Sequence, residues 1–309
     1  MKKLFCLMFT LLLATANALA MPAEDRAGNP LDLKAAPARV ISLAPATTQV
    51  IVELGLKDRL VAVDTYSPSQ AEGVSELPQF DMMHPDCEAM AELAPDLVLV
   101  SAMSYEGGGD PFTALRTLGI TVAVIPSSDS VAGVAEDVRF IARIMGAEES
   151  GEALTRGMLD TVEAVRAIGE AIPEAERKSV MFEIGALPYL YSFGSGTFLN
   201  ELIELMGARN VFADQQDWIS VSEESAVEAN PDVILTSVSY IDDAVGEILG
   251  RAGWGEVSAI KGGQVFYIDN TASSLPNHHI ADALVEMARR VYPDRYAALG
   301  APLLNEDAA

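Results

Sequence analysis

Cysteine is nearly absent from this chain: of 309 residues, only Cys6 and Cys87 carry a thiol. With Cys6 in a leader that is removed, no intramolecular disulfide can form, and no cysteine spacing suits a metal. Aromatics are scarce at 6%, with two tryptophans. After the first twenty residues there is no long uncharged apolar run, so no membrane span is expected there. The chain contains no GxSxG, HExxH or Walker A motif. Positive charge is also short: 20 Lys and Arg stand against 45 Asp and Glu, for a formal charge of −25. Such a chain repels nucleic acid and anionic lipid, which makes both poor partners.

Beyond these absences, the amino terminus is informative. Lys2 and Lys3 precede an apolar stretch over Leu4–Ala14, and Ala18-Leu19-Ala20 offers a small-x-small cleavage site. That pattern reads as a secretory signal peptide over residues 1–20, too short in its apolar core to anchor the protein. Cys6 lies too early to be a lipid-attachment cysteine. Cleavage also removes Lys2 and Lys3, which takes the formal charge from −25 to −27. A soluble periplasmic protein is expected.

The strongest internal signal is a repeat. Glu88 to Ser101 reads EAMAELAPDLVLVS and Glu224 to Ser237 reads ESAVEANPDVILTS, with six of fourteen positions identical. Each unit is a short helical segment, a Pro-Asp pair and a continuous apolar run, the mark of a strand buried on both faces. Helices and strands alternate along the chain, which argues a mostly parallel α/β sheet in each half. Between the halves, Leu154, Met158, Val162, Val165, Ile168 and Ile172 make one apolar stripe at helical spacing. The expected organisation is a polar segment 21–38, a lobe over 39–147, a connecting helix over 148–172 ended by Pro173, a second lobe over 173–300 and a disordered tail at 301–309.

Four separated stretches resemble one family: RVISLAPATTQVIVELGLKDRLVAVD, EAMAELAPDLVLVS, GTFLNELIELMGARNVFAD and WGEVSAIKGGQVFYID. They occur in the order typical of the substrate-binding proteins of ABC importers for ferric siderophores, haem and cobalamin. The resemblance covers roughly residues 24–296. It implies an α/β fold of two Rossmann-like lobes joined by a single long helix, with the ligand cleft between them. It also implies that Glu88 and Glu224, one per lobe, dock on arginines of a membrane permease dimer driven by ATPase subunits. Carboxylates on two lobes would give a two-point contact to guanidinium groups. The plainer alternative is that each opens a helix, where negative charge complements the dipole. A monomer is expected, with no resident cofactor; the transported chelate is cargo.

In open parallel sheets, ligands bind beyond the carboxyl ends of the strands. Residues just past the expected strands include Tyr66, Tyr105 and Tyr240, and Trp218 stands in the loop before the second repeat; it matches a cleft tryptophan of cobalamin-binding relatives. These four are the candidate ligand-binding residues, because aromatic walls suit a large, flat, partly apolar chelate. Asp64, Glu106, Asp110, Asp242 and Asp243 lie in the same loops without an arginine cluster. That favours a neutral or cationic chelate, a corrinoid above all, over an anionic siderophore. His84, His278 and His279 raise a metal reading. Adjacent histidines on a helix point about 100° apart, so the pair does not naturally share one ion, and no metal site is expected; the plainer reading is that it opens the last helix, Ile280–Val291, near the cleft rim. No catalytic residues are expected; the rival reading is a secreted α/β metal-dependent enzyme.

Overall fold

Residues 21–105 and 107–299 are described in the computed structural model. The expected signal peptide, Glu106 and the expected disordered tail lie outside them. In the first half, β1 (Val40–Leu43), β2 (Leu60–Asp64), β3 (Gln79–Phe80), β4 (Leu97–Ser101) and β5 (Thr121–Ile125) form a parallel sheet. Their order is β3-β2-β1-β4-β5. The second half contributes β6 (Ser179–Glu183), β7 (Tyr191–Phe193), β8 (Arg209–Asn210), β9 (Trp218–Ser220), β10 (Val233–Thr236) and β11 (Val265–Tyr267). Four of these make a second parallel sheet, β11-β10-β6-β8, while β7 and β9 pair antiparallel. In each lobe the order reverses beside the first strand, the doubly wound pattern that opens a crevice at the strands' carboxyl ends. β1, β4 and β10 are buried along their whole length, which is why they read as continuous apolar runs.

The sequence repeat has a structural job. Each Pro-Asp pair follows a short helix, Cys87–Glu92 or Glu223–Ala229, and enters the strand beside the lobe's first strand. Asp96 accepts from the backbone N–H groups of Ala38 and Arg39 at 2.8 and 2.9 Å. Asp232 accepts from the N–H and hydroxyl of Ser179, both at 2.8 Å. In both lobes one carboxylate thus satisfies donors at the amino end of the neighbouring strand, which no ladder would reach. The residue before each Pro, Ala94 or Asn230, has positive φ, 46° and 43° respectively. Asparagine tolerates this left-handed conformation, whereas alanine pays for its Cβ.

The Glu148–Glu170 helix, 23 residues long, runs between the two sheets. Leu154 packs on the first lobe's core, while Met158, Val162 and Val165 enter the core built on β6 and β10. Two glycines permit close approach. A Cβ on Gly151 would lie 2.1 Å from Cβ of Ala142 in the Val131–Ile144 helix. One on Gly169 would lie 2.2 Å from the carbonyl oxygen of Leu205. Opposite it, Gly207 turns with φ +76° and sits against the Gly169 backbone. The connecting helix is therefore docked on both lobes at backbone distance.

Some local expectations shift. Trp218 lies in β9 and not in a loop, because a three-residue strand gives no readable alternation. The edge strand β8 beside β6 is only the pair Arg209–Asn210, and the apolar Val211-Phe212 follows it directly. The 21–38 segment is tied down by Asp25, which accepts from Ala27, Asn29 and, across the chain, the N–H of Val124 in β5.

Candidate functional site

A cavity of about 300 Å³ lies at the carboxyl ends of the first sheet, at its switch point. Ala44, Pro45 and Thr47 line it after β1, Ser101 and Met103 at the end of β4, and Pro126 and Ser127 after β5. Ser274, Leu275 and Pro276, which follow β11, close it from the second lobe. The wall is largely apolar and includes Met82, Met83 and Ile141. Among the described residues no lysine or arginine lines it, and Asp137 is the one carboxylate that does. That carboxylate is already engaged, by Arg26 Nε at 2.6 Å and by the Ser128 hydroxyl. Burial raises the Asp137 pKa, and the bond from Arg26 opposes the rise. Two buried polar atoms on the wall, Ser101 Oγ and Gln70 Oε1, have no hydrogen-bond partner among the described residues.

Tyr66 is set on this wall by its neighbours. Asp64 ends β2 and accepts from the N–H groups of Tyr66 and Ser67 at 2.8 and 3.0 Å, turning the chain sharply. The Ser67 hydroxyl bonds Asp64 as well and reaches Thr48 at 3.0 Å. Asp64 is thus wholly buried in a structural turn, and what it presents to the cavity is the phenol ring, 59% exposed.

The other three candidate aromatics do not line this cavity. Tyr105 is a correction: it closes the short turn after β4, packs edge-on against Phe112 and accepts from Arg116 Nη2 at 3.1 Å. Its ring belongs to the core on the sheet's opposite face, with Met90 and Leu115. Trp218 is 49% exposed on the small β7–β9 sheet, edge-on to Phe193 and Phe198. Tyr240 is 70% exposed after β10, its hydroxyl accepting from the N–H of Ala186 at 2.8 Å. Tyr189, Tyr191 and Tyr267 are exposed at the same end of the second lobe. Exposed aromatic area on both lobes therefore gathers at the carboxyl ends of the strands, where water-facing rings need a reason.

Two more of the expected acidic groups serve local structure: Asp110 pairs with Arg116 at 2.5 Å, and Asp243 caps the Ala244–Leu249 helix. Trp254 is buried, its indole N–H donating to Glu223 Oε2 at 3.0 Å. Cys87 is half-buried and donates to the Pro111 carbonyl; burial pushes its thiol pKa up, away from nucleophilic use.

Residues 40–272 match the family model described as periplasmic binding protein. The chain belongs to that family. It is accordingly a binding protein and not an α/β enzyme, and its two-lobed α/β fold with one connecting helix is the family's. An uncharacterised ABC transporter substrate-binding lipoprotein, YvrC of Bacillus subtilis, is 29% identical over 273 residues, 88% of this chain and 86% of that one. A cobalamin-binding protein of Halobacterium salinarum is 32% identical over 223 residues, 70% of this chain and 58% of the relative. Among solved structures, the periplasmic haem-binding protein HutB of Vibrio cholerae superposes with a TM-score of 0.72 at 25% identity. That match covers 82% of this chain and 99% of HutB.

On this binding protein Glu88 and Glu224 occupy equivalent places. Each is the second residue of a short helix whose cap, Asp86 or Ser222, already accepts a backbone N–H. Both are exposed, and among the described residues neither has a hydrogen-bond or ion-pair partner. Among the same residues no helix is long and apolar enough to cross a membrane.

His278 and His279 stand at the start of the Ile280–Val291 helix, with His279 as its cap residue, so the divergence of side chains along a helix does not apply to them. Asn277 Oδ1 accepts from the His279 N–H, and the resulting turn stacks the two rings 4.3 Å apart. Both reach across to Glu53 on the first lobe, through Nε2 at 2.7 and 2.5 Å. Burial disfavours the charged form of His279, but Asp282 and Glu53 outweigh it and raise its pKa to about 9. His84, by contrast, is exposed beside Asp81.

Proposed function

We propose that this chain is the periplasmic substrate-binding component of an ABC importer and that its cargo is a corrinoid-type metal chelate. The observation that carries the ligand class is the cavity wall: largely apolar and, among the described residues, without a cationic side chain and with two neutral polar atoms that lack a partner. A ligand with an apolar macrocycle and neutral amide or hydroxyl groups matches both features. Gln70 Oε1 accepts from an amide N–H, and the Ser101 hydroxyl donates to an amide carbonyl. Haem and catecholate siderophores carry negative charge that calls for Arg or Lys clamps, which this wall lacks. The relative from Halobacterium salinarum, named as cobalamin-binding, supports the same choice.

Tyr66 forms one side of the binding surface, with Trp218 and Tyr240 the aromatic surface of the other lobe. Tyr105 has no contact role and supports the first lobe from behind. Glu88 and Glu224 dock on arginines of the permease dimer, one carboxylate per lobe. The protein is exported by a cleaved leader and works as a monomer.

Fluorescence titration tests the reading. Trp254 is buried, so a coloured ligand in the cleft should quench mainly Trp218. Cobinamide and cobalamin should quench at micromolar concentration or below, with haem and ferric siderophores weaker. Losing an aromatic contact is worth about 1–3 kcal/mol, so Trp218→Ala should weaken binding roughly 5- to 150-fold, read by the ligand's own absorbance. Tighter binding of haem than of cobinamide would overturn the ligand class. Unchanged affinity in Trp218→Ala would remove Trp218 from the binding surface.

A further inference from the structure

We infer that Glu53, His278 and His279 form a binding site for one divalent transition-metal ion of the zinc type, bridging the two lobes. Glu53 is the last residue of the Pro45–Glu53 helix on the first lobe, and the histidines precede the final long helix of the second. One carboxylate oxygen and one imidazole nitrogen from each histidine lie within 4.8 Å of one another. The two histidine side chains are 4% and 9% exposed, and Glu53 is 36% exposed. The ligands are thus held by the protein while solvent retains a way in past Glu53.

Three further features suit an ion. His279 directs its other nitrogen, Nδ1, to Asp282 Oδ2 at 2.8 Å, and Asp282 is itself buried. A carboxylate behind a ligating imidazole fixes the ring and strengthens the metal bond. One turn before Glu53, Gln49 bonds Asn277, the residue that turns the backbone at the histidines; the same interlobe seam therefore sets both halves of the site. Finally, the spacing is close to what coordination needs. Ligand atoms about 2.0–2.1 Å from a tetrahedral ion are about 3.3 Å apart. Nε2 of His278 lies 2.7 Å from Glu53 Oε2 and Nε2 of His279 lies 2.5 Å from Oε1, so each oxygen has to withdraw from its own imidazole by less than roughly 1 Å to admit an ion.

Two imidazoles and one carboxylate favour Zn²⁺, Ni²⁺, Co²⁺ or Cu²⁺ over Mg²⁺ and Ca²⁺, which prefer all-oxygen cages. Three protein ligands leave a fourth position for water or a donor atom of a bound molecule. The site is separate from the aromatic surfaces and does not depend on the nature of the cargo.

The test uses the secreted chain without a polyhistidine tag, stripped with chelator and titrated with ZnCl₂ by calorimetry. One ion per chain at micromolar affinity or tighter is expected, and Co²⁺ should give visible bands of tetrahedral intensity. Glu53→Gln and His279→Ala should each weaken binding at least tenfold, and Asp282→Asn about 10- to 100-fold. His84→Ala should leave it unchanged. Circular dichroism of each metal-free variant shows whether it folds, and the cobalt spectrum of the unaltered protein reads the ligand set whatever the variants do. Absence of a one-to-one ion at 100 µM Zn²⁺, a cobalt spectrum of octahedral all-oxygen type, or wild-type affinity in folded Glu53→Gln would each overturn the site.

Discussion

Gly169 offers a direct test of how the connecting helix is held. Its replacement by alanine adds one methyl group facing backbone: the new Cβ would fall 2.2 Å from the Leu205 oxygen, 2.8 Å from the Gly207 nitrogen and 2.9 Å from the Met206 carbonyl carbon. Carbon contacts are comfortable at about 3.5–4.0 Å, so helix and turn must part by roughly 1 Å. All three nearest atoms are backbone, which has no rotamer by which to yield. Overpacking of this kind costs about 1–3 kcal/mol, and a clash with rigid backbone belongs at the upper end. Alanine returns about 1 kcal/mol in helix propensity, leaving a net loss of about 2 kcal/mol. Gly157 on the same helix is the control, because nothing lies within 4 Å of its Cβ position. Gly157→Ala should therefore stabilise by about 0.8–1 kcal/mol. Urea denaturation followed by circular dichroism should place the two variants on opposite sides of the parent, about 3 kcal/mol apart. If Gly169→Ala is as stable as Gly157→Ala, the close docking on the second lobe is wrong.

Three further outcomes follow from the geometry. Ala94→Asn, which copies what the second lobe has at Asn230, should raise stability by up to about 1 kcal/mol in the same assay, since Ala94 holds a φ of +46°. Glu183→Ala should cost about 3–5 kcal/mol, because it strips a wholly buried carboxylate from Arg251, itself 2% exposed; a change under 1 kcal/mol would mean that Glu247 alone satisfies the guanidinium. Glu88→Arg with Glu224→Arg should abolish uptake in cells while purified protein keeps its ligand affinity within a few fold. Loss of ligand binding in the folded double variant would refute the docking assignment.

Sequence legibility tracked how local the cause was. Asp96 and Asp232 were readable because the same Pro-Asp unit occurs twice, and a doubled pattern has a doubled constraint behind it. Tyr66 comes two residues after β2, and that local position is enough to account for its place on the cavity wall. The same reasoning failed for Tyr105, since the tight turn Ala102–Tyr105 carries that ring round to the other face of the sheet. Ser274–Pro276 were not readable at all: they reach the cavity through the packing of one lobe on the other, which leaves no mark in nearby residues. The Ile280–Val291 helix and the place of the histidine pair at its start are local and legible, whereas the approach of Glu53 to that pair depends on packing between residues more than 220 positions apart.

The glycine docking of the long helix has a consequence for traffic. If loading hardly alters the carrier's outline, a membrane partner that recognises only that outline receives empty and loaded copies alike. A ligand can bias recognition only by the free energy with which it distinguishes the two states. Empty carrier then acts as a competitive inhibitor of its own importer. Import should slow when the protein is made in excess over its cargo and recover when cargo is added. The remaining means of discrimination is the cargo itself, presented at the open edge of the cavity between the two lobes.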